Sequence, residues 1–263
     1  MALTRTQRTK AIRWSVYAAG VAVVVVAGLI IDWPALQSAL FKVELIPEMF
    51  PAVLTQAAKN TLIFTSFGFA IGLVFGLALA LMRLSTIRPY RWFASVYIDI
   101  FRGLPALLTI LLIGFALPTA LGGWRIPGTY GPGSIAVGIV ASAYMAETIR
   151  AGIQAVPRGQ MEAARSVGMS YSQAMVYIVI PQAFRIIIPP LTNEFILLLK
   201  DTSLISVLGV TAQTKELTRF GRDFVIDTAN ATPIVVVGLV YLAMTIPLTR
   251  LVAQLEKRAA RAR

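Results

Sequence analysis

Long uncharged apolar runs recur along the chain, separated by short stretches where Arg, Lys, Pro and Gly gather. A helix needs about 20 largely apolar residues to cross a bilayer, so each run is a candidate span. Residues 16–31 form the first, 61–82 the second, and 103–123 the core of a third that begins near Trp92. Residues 133–146 continue into Ile153 as a fourth, interrupted by Glu147 and Arg150; 186–199 extend towards Gly209 as a fifth, and 231–247 are the sixth. The pattern predicts an all-α integral membrane protein with six transmembrane helices.

Arg5, Arg8, Lys10 and Arg13 ahead of the first run make a cleaved secretory leader the alternative there. Its 16 residues slightly exceed the usual leader core, and Asp32-Trp33-Pro34 follows without a small-residue cleavage site, so the helix reads as retained. With six spans, both ends and the second and fourth loops share one side. That side carries Arg5, Arg8, Lys10, Arg13, Arg83, Arg88, Arg91, Arg158, Arg165, Lys257, Arg258, Arg261 and Arg263, against Lys42, Arg125, Lys215, Arg219 and Arg222 opposite. Lys and Arg concentrate in cytoplasmic loops, which puts both termini inside the plasma (inner) membrane. Between the first two spans, residues 32–58 mix apolar positions with Lys42, Glu44, Glu48 and three prolines, as short amphipathic pieces on the outer interface would.

Composition sharpens the picture. Of the 263 residues, 57% are hydrophobic and 14% charged, with a mean hydropathy of +0.75, which excludes an ordinary soluble domain at about 25% charged. The absence of Cys and His removes thiolate chemistry and the commonest general base and metal ligand, so no catalytic residue and no metal site is expected. The net charge of +12 reads as a topological signal in so apolar a chain, and no nucleic-acid partner is inferred.

Gly68, Gly72 and Gly76 form a double G-x-x-x-G ladder on one face of the second span. Small residues at that spacing let two backbones approach in lipid, either within the chain or between subunits. Charges inside the spans cost about 2.5–3.5 kcal/mol each at mid-membrane, so they call for partners or a purpose. Asp99 with Arg102, and Glu147 with Arg150, lie three apart and can pair on one helical face; structural pairing and a transport role both remain open. Pro189-Pro190 either starts or kinks the fifth span. A start there sets Lys200 near mid-membrane, whereas a start near Ala183 carries Lys200 and Asp201 to the outer surface. Glu194, beside Asn193, is inside the membrane either way and leads the solute-path candidates, with Lys200, Glu147, Arg150 and Arg102. Gly103-Leu104-Pro105 breaks the third span, as a kink or as part of a route.

Residues 156–181 are too polar to cross. Pro157 opens the segment, 160–167 read as a short helix, and Gly168 fits a left-handed stop. Ser170 with Gln173 makes a capping box for a second helix, which Pro181 closes. Two short helices hinged at a glycine present a compact knob, with Ala163 and Ala164 leaving room for a partner and Arg158, Glu162 and Arg165 offering polar contacts.

Glu162-Ala163-Ala164, three residues, Gly168, nine residues, Ile178, one residue and Ile180-Pro181 resemble the EAA signature of permease subunits in ATP-binding-cassette (ABC) importers, with Ile180 where Leu is usual. Residues 143–150 (AYMAETIR), Gly159-Gln160-Met161-Glu162, Pro181-Gln182-Ala183, residues 200–204 (KDTSL) and residues 101–105 (FRGLP) are similar to the polar amino-acid branch of that family. The resemblance covers roughly 60–251. It implies a five-helix type I importer core at 59–252 with its coupling segment at 156–181. One extra N-terminal helix and its outer segment occupy 1–58, and a basic cytoplasmic tail 253–263.

By that resemblance, Arg158, Gly159, Gln160, Glu162, Ala163, Ala164 and Gly168 couple to an ATPase. The implied partners are two ABC ATPase subunits, a second permease chain of the same or a related kind, an extracytoplasmic solute-binding protein, and a polar amino acid, glutamate or glutamine foremost. ATP and Mg belong to the ATPase, and this chain binds no cofactor; it has no G-x-x-x-x-G-K-[ST] phosphate loop. Trp124, Arg125, Lys215, Arg219 and Arg222 are outer contacts or plain solvated charges. An ion-driven transporter would show an internal repeat of interrupted helices, and the first and last three spans share none. A scaffold would leave the intramembrane charges unexplained.

Overall fold

The computed structural model describes residues 5–124, 126–209 and 211–261. Arg125 and Arg263 lie outside the described residues. Among the described residues thirteen α-helices follow one another: α1 (Arg5–Ile30), α2 (Trp33–Leu40), α3 (Ile46–Met49), α4 (Lys59–Leu84), α5 (Arg88–Gly103), α6 (Ala106–Leu111), α7 (Leu117–Ala120), α8 (Gly131–Gln154), α9 (Arg158–Ser166), α10 (Tyr171–Ala174), α11 (Ile180–Asp201), α12 (Leu217–Thr228) and α13 (Thr232–Arg261). Among the described residues four continuous helical stretches are long and apolar enough to cross a membrane, and α5 with α6–α7 makes a fifth if that bent pair is one span. α8, at 24 residues, is also long enough at about 36 Å. Its Gly, Ala and Ser positions make it less apolar because it faces protein on most sides: thirteen of its residues are buried.

The centre of the fold is the pair α4 and α8, which pack more extensively than any other two helices. A Cβ on Gly68 would lie 2.6 Å from Val137 Cγ2, one on Gly72 2.9 Å from Ala141 Cβ, and one on Gly76 2.9 Å from Met145 Cβ. The glycine ladder is therefore an intramolecular seam. Partner numbers rise together along both helices, so the two run parallel.

Two apolar clusters flank the seam. One joins Phe64, Ile110, Ile113, Val137, Leu198 and Ile205; the other joins Leu79, Ala94, Ile98, Ile149, Val179 and Ile187 near the polar segment 156–181. A third cluster, with Met49, Val53, Leu217, Phe220, Val236 and Val240, sits at the other end of the bundle. Residues 32–58 thus do more than lie on the interface: Met49 and Val53 are fully buried, and α2 is tied to the start of α13. Ser38 O accepts from Asn230 Nδ2 at 2.8 Å, Ala39 O from Ala231 N at 3.0 Å, and Lys42 N donates to Thr232 Oγ1 at 2.9 Å. α1, in contrast, buries nothing along Arg8–Ile30.

Three sequence expectations change. The third span is not straight from Trp92: the chain turns 108° between α5 and α6, because Gly103 ends one helix and Pro105 caps the next without an N–H to continue it. Pro189 and Pro190 neither start nor end α11, which begins at Ile180 and runs about 33 Å. That length carries Lys200 to the far end, so the mid-membrane placement falls. Pro181 does not close the helix after Ser170 either. A π turn, Met175–Val179, leads straight into α11, so the helix runs on through Pro181.

Candidate functional site

The segment after α8 folds as a knob. Pro157 caps α9, and Gly168 takes φ +90°, a conformation glycine adopts without penalty. Gly168 N donates to Arg165 O at 3.1 Å and Met169 N to Ala164 O at 3.2 Å, the paired bonds of a Schellman stop. Ser170 and Gln173 bond reciprocally, Ser170 N to Gln173 Oε1 at 2.8 Å and Gln173 N to Ser170 Oγ at 3.2 Å. The chain is thereby reversed within four residues and returned to the membrane.

On this knob Arg158, Gly159, Gln160, Glu162, Ala163 and Gly168 are exposed, whereas Ala164 is buried against the bundle. Ala164 therefore anchors the helix and Ala163 alone leaves room outside. Val167, 78% exposed, Tyr171 and Tyr177 add exposed apolar surface to this segment that reasoning from motifs missed. Gln182 Nε2 on α11 donates to Gln160 Oε1 at 3.2 Å, so the knob is tied to the span that follows it.

The six solute-path candidates divide. Arg102 is not paired with Asp99; its guanidinium lies 5.6 Å over the ring of Tyr144, and its charge acts on both Glu147 and Glu194. The break after α5, the middle of α8 and the middle of α11 thus bring Arg102, Tyr144 and Glu194 into one neighbourhood, with Asn193 exposed beside Glu194. Glu147 belongs to a different arrangement: Arg83 Nη1 meets its Oε2 at 2.7 Å, and Arg150 pairs with it through both Nε and Nη2. Lys200 lies apart, on a groove with Ser203, Thr218 and Tyr241.

Between the last two spans stands a residue the sequence reading passed over. Glu216 is 0% exposed, caps α12 through bonds from Thr218 N and Arg219 N, both 2.6 Å, and accepts from Tyr241 Oη at 3.3 Å. Thr61 Oγ1 accepts from Leu217 N at 3.1 Å, and Asn60 Nδ2 donates to Gln213 O and Lys215 O at 2.8 and 2.9 Å, pinning this loop to the start of α4. Lys215 and Arg219, expected as outer contacts or plain solvated charges, both pair with Asp223. The only sequence signal for Glu216 was a polar residue immediately ahead of an apolar helix start.

Burial pushes the Glu216 carboxyl up to about 7, against the two amides that favour its charged form. A raised carboxyl binds its proton more tightly folded than unfolded, so its contribution is complete below about pH 4.5 and is lost as pH rises through about 7. The effect is at most about 3 kcal/mol. Hydrogen exchange of the amides of residues 217–221 is expected to show protection factors that fall across this window in the wild type and stay level in Glu216→Gln. Equal pH dependence in both would exclude the assignment.

Comparison with known proteins agrees with this geometry. The sequence profile described as "Binding-protein-dependent transport system inner membrane component" matches residues 72–261. The chain is 42% identical over 207 residues to the "Probable glutamine ABC transporter permease protein GlnM" of Bacillus subtilis, covering 76% of this chain and 89% of that one. It is 34% identical over 207 residues to the glutamate/aspartate import permease protein GltK of Escherichia coli, covering 76% and 90%. Among solved structures, an amino acid ABC transporter with histidines superposes with a TM-score of 0.74 at 39% identity, over 81% of this chain and 96% of that one. A bacterial alginate ABC importer shares the fold at a TM-score of 0.62 and 12% identity over 98% of this chain, which takes in α1. The protein is a multi-pass inner-membrane permease, and it belongs to the binding-protein-dependent transport system inner membrane component family.

Proposed function

We propose that this chain forms part of the path by which a polar amino acid, glutamine or glutamate foremost, enters the cytoplasm, driven by ATP hydrolysed on a separate ATPase. The observation that carries the reading is the knob: a rigid, reversed segment whose exposed surface combines Glu162, Ala163, Val167 and Tyr171, while Ala164 and Gln160 fasten it to the spans. A surface so fixed from behind and open in front suits a partner that pushes on it. Both termini are cytoplasmic, the assembly contains a second permease chain and two ATPase subunits, and an outer solute-binding protein delivers the substrate. The chain itself binds no cofactor, and ATP and Mg sit on the ATPase.

An α-amino acid presents an ammonium and a carboxylate, so its path needs an acceptor and a donor. Glu194 and Arg102, grouped with Tyr144, supply both, with Asn193 as a neutral contact. Uptake of radiolabelled glutamine and glutamate into proteoliposomes holding the complex tests the reading. Transport that requires both ATP and the ATPase is the expected result; transport without an ATPase, or none of either solute, overturns it. Glu194→Ala is expected to lower uptake about tenfold or change the preferred solute, at the scale of one lost charged contact. Unchanged kinetics would take Glu194 out of the path.

A further inference from the structure

Both oxygens of the Glu147 carboxylate are engaged by arginines. Its Oε2 accepts from Arg83 Nη1 at 2.7 Å and from Arg150 Nε at 3.2 Å, and its Oε1 from Arg150 Nη2. Arg150 also donates to Gln154, the last residue of α8. The three charged side chains are only 22–25% exposed. A guanidinium or carboxylate left alone at such a place is costly, so removing one member strands the others.

This network lies where two rigid features meet. Above it, the Gly68, Gly72 and Gly76 seam holds α4 and α8 parallel and in register, and Arg83 stands one residue before the end of α4. Below it, α8 ends at Gln154 and α9 begins at Arg158. On the other flank a Cβ on Gly152 would come 2.2 Å from Ile187 Cγ1, so α11 is packed hard against this same end of α8. The knob joins α8 through residues 155–157 and α11 through the π turn and the Gln182–Gln160 bond, and the charged network is the polar tie between α8 and α4.

We propose that Glu147, clamped between Arg83 and Arg150, is the joint that makes α4 travel with the coupling segment, so that Arg83 and Glu147 are positioning residues for transport and not ligands of the solute. The proposal rests on the reading of α9 as the surface an ATPase drives. Nothing in the motif resemblance assigns Arg83, which sequence reasoning counted only as a topological charge.

The test uses the whole complex in proteoliposomes, measuring solute imported and ATP hydrolysed for Arg83→Glu, Glu147→Arg and the double exchange. Each single reversal is expected to cut uptake about tenfold or more while hydrolysis stays within about twofold, and the exchange to restore uptake to within about threefold. A double variant no better than either single, hydrolysis falling in step with uptake, or normal uptake in either single overturns the joint. Should a reversal block insertion, Arg83→Gln and Glu147→Gln keep size while removing charge. They are expected to lower the ratio of solute imported to ATP consumed, and an unchanged ratio overturns the joint equally. A wild-type complex that fails to couple hydrolysis to uptake would instead sink the proposed function, so the two failures are distinct.

Discussion

Glu162→Lys is expected to reduce ATP-driven uptake about 100-fold while leaving membrane insertion intact, since reversing one charge at a docking surface costs several kcal/mol and 1.4 kcal/mol is a factor of ten. Glu162 is exposed on α9 and makes no hydrogen bond or ion pair among the described residues, so its carboxylate is free for a partner and its replacement disturbs nothing inside the bundle. Gly168→Asp attacks the same surface by another route. An L residue at φ +90° is strained by about 1–2 kcal/mol, and relaxing that strain opens the Schellman bonds from Gly168 N and Met169 N that fix the turn. Uptake assays paired with pull-down of the ATPase check both. Normal uptake and normal capture by the two variants would remove α9 from the coupling role.

The second large effect concerns the seam. Gly76→Val is expected to abolish the folded state, or to lower the melting temperature of the detergent-solubilised protein by more than any surface change. At Gly76 the first added carbon would already lie 2.9 Å from Met145 Cβ, 3.0 Å from Ser142 O and 3.1 Å from Ala146 N. Two of those three atoms are backbone and cannot rotate away, so the helices must part along the ladder. Overpacking of this kind costs about 1–3 kcal/mol per site, and Val adds two further methyls to the clash. Gly238→Ala is the matched control, because a Cβ there meets nothing within 4 Å. Equal melting temperatures for Gly76→Val and the control would mean that the seam opens at no cost.

The features that were legible in the sequence are those written in short-range spacing. The ladder at Gly68, Gly72 and Gly76, the capping box at Ser170 and Gln173, and the stop at Gly168 each follow from a fixed interval along one helix or turn. Features that depend on which spans are neighbours were not legible. Arg83 meets Glu147 across 64 positions, and Asn60 reaches Lys215 across 155. Asp99 is the partner that i, i+3 spacing offers Arg102, whereas the structure turns Arg102 to Tyr144.

Prolines misled for a related reason. Pro181, Pro189 and Pro190 each forbid one backbone hydrogen bond, which reads locally as an interruption. A membrane helix held by α4, α8 and α13 keeps its course nonetheless, because its neighbours fix the axis. Only Pro105, preceded by Gly103 at the end of an amphipathic helix, produces a true corner. The difference lies in the flanks: α5, on one side of Pro105, is amphipathic, while 171–207 remain helical and apolar on both sides of their prolines.

The fastening of α2 to the start of α13 sets where the leading helix pivots. Because three hydrogen bonds hold residues 38–42 to 230–232 and no described side chain of residues 12–30 is buried, α1 is attached to the bundle at its end near Asp32. Its N-terminal end is therefore the natural place to append a fluorescent reporter or an affinity handle while the bundle stays whole.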